Sequence, residues 1–408
     1  MMTATRKIKV AYLLRTLALA GAEHYVVEMA TRLDRQRFEP RIYCIAGGGA
    51  LQAEAERQGV PVAAFQGSPA YNPFVPTPSP YWYAKKFIAL CRYLKREQPD
   101  VVHCCMYAPS LYGSVAAKLT GHAAVLSNQV RLGAFKEHRW YYQPLENGIN
   151  RLVDVVLVNS EAVKNDVLRR ERIDANKLHV IYHGVDNERF MPVDGQPERQ
   201  AWREETRAAF GIPPHASVVG VIGNLFAHKG YYEFIRAAAE VSRAHPDARF
   251  LCIGEDRGTQ GDFASFAQKL GVQAQVIFTG QAPRVEKMLA ALDIQVSASH
   301  EEGFSNAILE GMASGKPVIA TNVGGNPEAV LHEQTGLIVP PKDPGALARA
   351  ITTLIEHPER AAQFGKNGRK RVERYFTNTT MMNSLENLYL ALLEKRQAHR
   401  MQALAQCP

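Results

Sequence analysis

The chain contains no Asp-x-Asp, no Cys-x-x-Cys and no His, Cys, Asp and Glu set at metal-ligand spacing, so neither a metal nor another cofactor is expected. Its six Cys, at 44, 91, 104, 105, 252 and 407, show no paired spacing; they read as reduced thiols of a cytoplasmic protein. No apolar run reaches the roughly 18 residues of a membrane span. After Arg6, Lys7 and Lys9 the apolar stretch is split by Arg15, leaving Val10 to Leu14, too short for a signal peptide core and better read as a first strand. That strand is followed by Ala18-Leu19-Ala20-Gly21, not by Gly-x-Gly-x-x-Gly, which argues against a dinucleotide oxidoreductase. No Lys/Arg run with interleaved aromatics is present, so no nucleic-acid partner is expected.

What is present is ordinary globular composition, 408 residues with 46% hydrophobic and 22% charged, enough for two domains with full cores. The formal charge of +8 is uneven: residues 1–186 hold 24 Lys/Arg against 16 Asp/Glu, and residues 187–408 hold 24 against 24. A basic first half suits an anionic membrane surface or acidic substrates.

Strand and helix patterns alternate from the start, with a strand at 8–14, a helix at 22–33, and strands at 41–46 and 60–65. A loop at 70–80 with Pro73, Pro76, Pro78 and Pro80 interrupts them. Next comes a helix, 81–96, with Tyr83, Phe87, Leu90, Cys91 and Leu94 on one side and Lys85, Lys86, Arg92, Lys95 and Arg96 around the other. Such a helix either lies on anionic lipid or packs on its own sheet. Strands at 101–103 and 123–127 place His103, Asn128 and Gln129 at strand ends; residues 131–150 are rich in aromatic and basic groups. A strand at 153–158, a helix at 161–170 and the run 180–186, which includes His183, complete the first half. After a polar, Pro-containing linker at 187–214 the pattern restarts, with strands at 218–222, 250–253, 276–279, 294–298, 318–320 and 336–339. The restart predicts two Rossmann-like domains, residues 1–188 and 189–378, with a final helix in 379–408.

The second half holds the most informative stretch. Glu302-Gly303-Phe304-Ser305-Asn306 leads through an N-cap residue into a short helix in which Asn306, Glu310 and Ser314 form one polar stripe. A helix N-terminus there offers unpaired N–H groups to a phosphate, and Glu302 and Glu310 lie roughly 12 Å apart if the segment is wholly helical. An elongated ligand with a central phosphate and hydroxyl groups at either end fits that span. The plainer alternative is a solvated helix face. Upstream, Gly223-Asn224-Leu225-x3-Lys229-Gly230 follows a strand and opens a helix, so Lys229 sits at the mouth where α/β sheets bind ligands.

Glu302-x7-Glu310, continued by Ala313-Ser314-Gly315-Lys316-Pro317-Val318-Ile319-Ala320 and Gly324-Gly325-x-x-Glu328, resembles the signature of retaining glycosyltransferases of family 4. The resemblance covers residues 8 to about 395 and implies an α/β fold of GT-B type. In that fold two Rossmann-like domains face each other across a cleft and the last helix returns to the first domain. It implies a nucleotide-diphosphate sugar as donor and a saccharide or lipid-linked glycan as acceptor, in cell-surface polysaccharide synthesis, with retention and without metal. By the same resemblance Glu302 lies near the transferred sugar, Glu310 on the ribose, and Lys229 with the amides of 304–306 on the leaving diphosphate. Asn224 stands where the family has a second cation, and Gly21, in Ala20-Gly21-Ala22-Glu23, stands at the loop that approaches the phosphate. His103, Asn128, Gln129 and His183 are the candidates on the acceptor or sugar side. Peripheral contact with the cytoplasmic face of an anionic membrane fits the basic first half. A non-catalytic binder of nucleotide sugars on the same fold is the alternative.

Overall fold

The computed structural model describes residues 6–18, 21–65, 80–121, 123–130, 132–133 and 141–405. The chain forms two compact units: Met1–Asn159, Val163–Ile181 and Met382–Pro408 make the first, and Ser160–Ala162 with Tyr182–Met381 make the second. Apart from Ser160–Ala162, the second unit thus begins at Tyr182 rather than at 189, and the chain leaves it at Met382 rather than at 379. Tyr182 and His183 explain the first shift, because their rings lie 5.1 and 6.3 Å from that of Phe304.

The first unit is built on seven parallel strands, β1 (Ile8–Leu14), β2 (Phe38–Cys44), β3 (Val62–Ala64), β4 (Val101–Cys105), β5 (Ala124–Gln129), β6 (Val155–Val158) and β7 (Leu178–Val180). Their order is β3-β2-β1-β4-β5-β6-β7. The apolar runs Val10–Leu14 of β1 and Val155–Val158 of β6 follow from burial on both faces of a parallel sheet, with Leu13, Val102, Val125 and Val156 in one core cluster.

Helix Pro80–Glu97 covers one face. Its buried positions are Lys86, Leu90, Tyr93 and Leu94, while Tyr83 is 39% exposed. The apolar face is therefore rotated from the expected one: Lys86 points inward, with its ammonium 5.7 Å from the ring centre of Phe65. Pro80 opens the helix rather than closing the preceding loop, since a helix start needs no N–H from its first residue. Pro73, Pro76 and Pro78 lie outside the described residues.

Helix Tyr142–Leu152 has no counterpart in the sequence reading. Its buried residues are Glu146, Ile149 and Asn150, two of them polar. The Gln129 amide donates to Glu146 Oε1 at 2.7 Å and to Glu171 Oε2 at 3.0 Å. From Met382 on, helix Asn378–Ala405 belongs to the first unit. There Glu386 accepts the Asp34 amide at 2.8 Å, and Arg396 donates to the Ala123 carbonyl at 2.6 Å.

The second unit has six parallel strands, β8 (Val218–Ile222), β9 (Arg249–Ile253), β10 (Val276–Gly280), β11 (Ile294–Ser297), β12 (Val318–Thr321) and β13 (Gly336–Val339). The order is β10-β9-β8-β11-β12-β13. Tyr231, Phe234, Phe250 and Ile351 are buried in one core cluster; Ile308, Leu309, Met312 and Val318 are buried in another. Helix Pro358–Tyr375 is also absent from the sequence reading. Its buried stripe is mostly small, with Ala361, Gly365 and Gly368 between Phe364 and Val372, so little apolar bulk marks it.

In this sheet the chain runs outward from β8 to β10, returns beside β8 as β11, and runs outward the other way to β13. The reversal lies between β8 and β11. At such a point the loops leaving the two carboxyl ends diverge and leave a crevice, where ligands of open α/β sheets bind.

Candidate functional site

The loops that leave β8 and β11 at this reversal carry Lys229 and Glu302. After β8 the chain makes a short 3-10 turn, Ala227–Lys229, closed by Gly230 at φ +75°. A side chain at 230 would place Cβ 1.9 Å from the Ala298 carbonyl oxygen, so only glycine lets this turn rest on the end of β11. The His300 amide donates to the His228 carbonyl at 2.8 Å and fixes the two loops together.

Held this way, Lys229 Nζ donates to Glu302 Oε1 at 2.5 Å, and Ser299 Oγ donates to the same oxygen at 2.8 Å. The two charged side chains are 27% and 13% exposed, so the pair is shielded but reachable from solvent. Beneath it, His300 Nε2 lies 3.0 Å from Glu233 Oε2, near enough for an ion pair when the ring is protonated but not aligned as a hydrogen bond. Ser299, His300 and Glu233 were not singled out from the sequence. Ser299 and His300 precede Glu302 in the same loop, whereas Glu233 lies on helix Tyr231–Ala244 and left no local signal.

The rest of the 302–306 stretch divides between backbone and core. Phe304 is buried, with its ring 5.5 Å from that of Phe376, so its side chain is structural. The Gly303 carbonyl accepts Ser160 Oγ at 2.9 Å and the Gly325 amide at 2.9 Å. A Cβ on Gly324 would come within 1.6 Å of the Glu302 carbonyl oxygen; Gly324 therefore lets its loop support the Glu302 backbone. Ser305 occupies the N-cap position of helix Asn306–Ala313 but makes no side-chain capping bond. The expected side-chain cap is thus missing, which leaves first-turn amides of that helix available to a ligand.

Glu310 stands one turn beyond Asn306 on this helix and is partly exposed. Asn224, also partly exposed, lies in the turn after β8, where its carbonyl accepts the Phe226 amide at 2.8 Å. Lys229, Asn224, Glu302, Gly303, Phe304, Ser305, Asn306 and Glu310 therefore all belong to segments leaving the carboxyl ends of β8 and β11.

His183 belongs to this unit as well. It is buried, its Nδ1 lies 2.6 Å from Asn306 Oδ1, and burial holds its pKa down at about 4. It is a neutral group that orients Asn306. Glu328, the last residue of the signature, accepts the amides of Glu161 and Ala162 at 2.8 Å each and the Tyr182 hydroxyl at 2.8 Å.

The remaining candidates lie in the first unit. Gly21 opens helix Gly21–Arg32, and nothing stands within 4 Å of where its Cβ would be; Ala20 is outside the described residues. His103 is inside β4 rather than after it and is wholly buried. Its Nε2 lies 2.5 Å from Asn128 Oδ1 and its Nδ1 lies 2.6 Å from the Tyr389 hydroxyl. With Nε2–H donating to the amide oxygen, Nδ1 is left to accept from the hydroxyl, and burial lowers the ring pKa to about 4. His103 therefore joins the last helix to the sheet. Asn128 and Gln129 close β5 instead of following it, and both spend their amides inside the unit.

Among the described residues no three His, Cys, Asp or Glu side chains are grouped to hold a metal ion, and no helix is long and apolar enough to cross a membrane.

Residues 203–371 match the family described as glycosyl transferases group 1, and residues 19–189 match glycosyltransferase family 4. The chain is similar to the D-inositol 3-phosphate glycosyltransferase of Corynebacterium glutamicum (strain R), 31% identical over 243 residues, covering 58% of this chain and 57% of that relative. The shared region thus spans little more than half of that relative's length. It is also similar to EpsD of Bacillus subtilis (strain 168), 28% identical over 323 residues, covering 75% of this chain and 81% of EpsD. In structure it is similar to Anabaena HepE in complex with UDP and glucose, with a TM-score of 0.82 and 22% identity over 94% of this chain and 100% of HepE. The two parallel Rossmann-like sheets and the two matched segments lead to one statement: the chain belongs to the family-4 glycosyltransferases and has the α/β GT-B fold.

Proposed function

We propose that the protein transfers a sugar, with retention of configuration and without a divalent metal, from a nucleotide-diphosphate sugar to a saccharide or lipid-linked acceptor. The observation that carries this reading is the Lys229–Glu302 pair at the β8/β11 reversal, beside a helix start with no side-chain cap. The complexes of HepE with UDP and glucose support the donor class.

In the proposed step the bond from the anomeric carbon to the diphosphate oxygen breaks, and its electron pair leaves with the diphosphate. The acceptor hydroxyl attacks the same face of the sugar, and its proton passes to the departing phosphate oxygen. Lys229 and the first-turn amides of helix Asn306–Ala313 meet the charge that grows on the leaving group. Glu302 faces the sugar hydroxyls or the positive charge at the anomeric carbon, and Glu310 takes the ribose hydroxyls. Assays of transfer and donor hydrolysis across a panel of nucleotide sugars, with and without a chelator, test the reading. Loss of turnover in both Lys229→Met and Glu302→Gln is expected, with chelator-treated protein fully active; near-normal turnover in both variants would overturn these roles.

The acceptor reading rests on the first unit. Helix Pro80–Glu97 exposes Ile88 together with Lys85, Arg92, Lys95 and Arg96 on one side, a surface suited to the headgroups of an anionic membrane. On this proposal the protein works at the cytoplasmic face of the membrane in cell-surface polysaccharide synthesis. Co-sedimentation with liposomes containing an anionic lipid, lost in Lys85→Glu/Arg92→Glu, is expected; no binding at low salt favours a soluble acceptor.

A further inference from the structure

The second unit has a cavity of about 710 Å³ at the amino ends of its strands, away from Lys229 and Glu302. Ser217, Ile294 and Pro317 line it, and they stand at the amino ends of β8, β11 and β12, whereas the pair follows the carboxyl ends of β8 and β11. The volume is that of a small-molecule site.

Its charge is unbalanced. Arg203 and Arg207 share the carboxylate of Asp293, at 2.5 and 2.8 Å, and Lys316 Nζ, buried beside them, donates to the Leu292 carbonyl at 2.7 Å. Three cations are thus drawn together around one carboxylate. On the wall itself Arg203, Lys316, Lys366, Arg369 and Lys370 face Asp194, Asp293 and Glu373, five positive groups against three negative. Arg369 is committed to three backbone carbonyls and to Glu373, whereas Lys366 and Lys370 are exposed and one turn apart on helix Pro358–Tyr375. Arg203, Arg207 and Lys316 are shielded in excess of their one carboxylate, which is costly, and an anion in the cavity offsets that cost, with the exposed Lys366 and Lys370 adding attraction from its rim. The same imbalance shows in Lys316, whose pKa burial, with Arg203 nearby, pushes down to about 7.

We infer that this cavity is a second ligand site, separate from the sugar-transfer locus, for a small metabolite bearing a phosphate dianion, with Lys316, Lys366 and Lys370 supplying the counter-charge. Two negative charges match the excess on the wall; a single carboxylate leaves half of it uncompensated.

The test is calorimetric titration of the full chain with inorganic phosphate at constant ionic strength, read against chloride. Saturable binding that persists in Lys229→Met is expected, since that change removes only the cation at the other end of the sheet. In Lys366→Glu/Lys370→Glu, whose altered residues are exposed, the dissociation constant is expected to rise roughly five-fold or more. Lys316→Met is expected to abolish binding; should it fail to fold, the double variant decides alone. Absence of saturable binding in Lys229→Met, or unchanged binding in the double variant, overturns the proposal.

Discussion

The ammonium of Lys229 and the carboxylate of Glu302 lie 2.5 Å apart, each the counter-charge of a group to which the proposed transfer step gives a charged role. A diphosphate that takes Lys229 must compete with Glu302 for it. In Glu302→Gln the competing charge is gone while a hydrogen-bonding side chain of the same size remains. The bare nucleoside diphosphate is therefore expected to bind several-fold tighter to Glu302→Gln than to the unaltered chain, while sugar transfer falls by about 10²–10³. Titration of UDP and of the other nucleoside diphosphates into both proteins measures the first effect. Weaker nucleotide binding in the variant would show that Glu302 does not restrain Lys229.

Gly230 is the joint on which that pair depends. Gly230→Ala must hold φ near +75° and drive Cβ against the Ala298 carbonyl, so either the 227–230 turn or the end of β11 has to move. A loss on the order of 3 kcal/mol is expected from urea unfolding, with donor turnover falling further than stability alone accounts for at temperatures where the variant is folded. Turnover that tracks only the folded fraction would detach the turn geometry from the chemistry.

How much of this could be read in advance depended on the kind of side chain that does the burying. β1, β8 and the helix from Asn306 declared themselves because Val, Ile, Leu and Met mark buried faces by their spacing. Helix Tyr142–Leu152 buries Glu146 and Asn150, and helix Pro358–Tyr375 packs largely through Ala and Gly, so the buried faces of both carry few large apolar side chains. At the site the charged residues were legible from their place after strands, but their mutual pairing was not. Gly230 and Ala298 are far apart in sequence, and only the order β8-β11 brings their loops together. His103 was misplaced for a related reason: β4 runs two residues further than its apolar stretch, through Cys104 and Cys105, and carries the ring into the core.

The His103–Tyr389 contact makes a prediction for the first unit. Tyr389→Phe keeps the buried ring but removes the hydroxyl that His103 Nδ1 accepts from, leaving a buried acceptor without a partner. A loss of about 1–3 kcal/mol is expected. Nucleotide binding, which the proposal assigns to the second unit, is expected to be unchanged. Measuring urea stability and nucleotide affinity on the same preparation separates the two, and a parallel loss of both would contradict a purely structural role for the contact.

Acid should act through His103 and His183 together. Both rings are buried and neutral in the fold, with pKa values lowered to about 4 by burial, against an ordinary value near 6.5 in the unfolded chain. Between those values the unfolded chain binds a proton at each position and the folded chain does not, so stability rises with pH there and falls as acid is added. The contribution is fully present above about pH 6.5, is lost progressively down to about pH 4, and amounts to roughly 3 kcal/mol for each ring. Carboxylates with lowered values, Asp166, Asp293 and Glu286, add to the loss once the pH falls to the ordinary carboxylate values, where the unfolded chain takes up protons before the folded one. Urea midpoints measured between pH 7.5 and 4.5 are expected to fall steeply in the unaltered chain and less steeply in His183→Asn, which removes one of the two proton uptakes. The same slope in both proteins would mean that His183 is already protonated in the fold, and its hold on Asn306 would then have to be one between a cation and an amide oxygen.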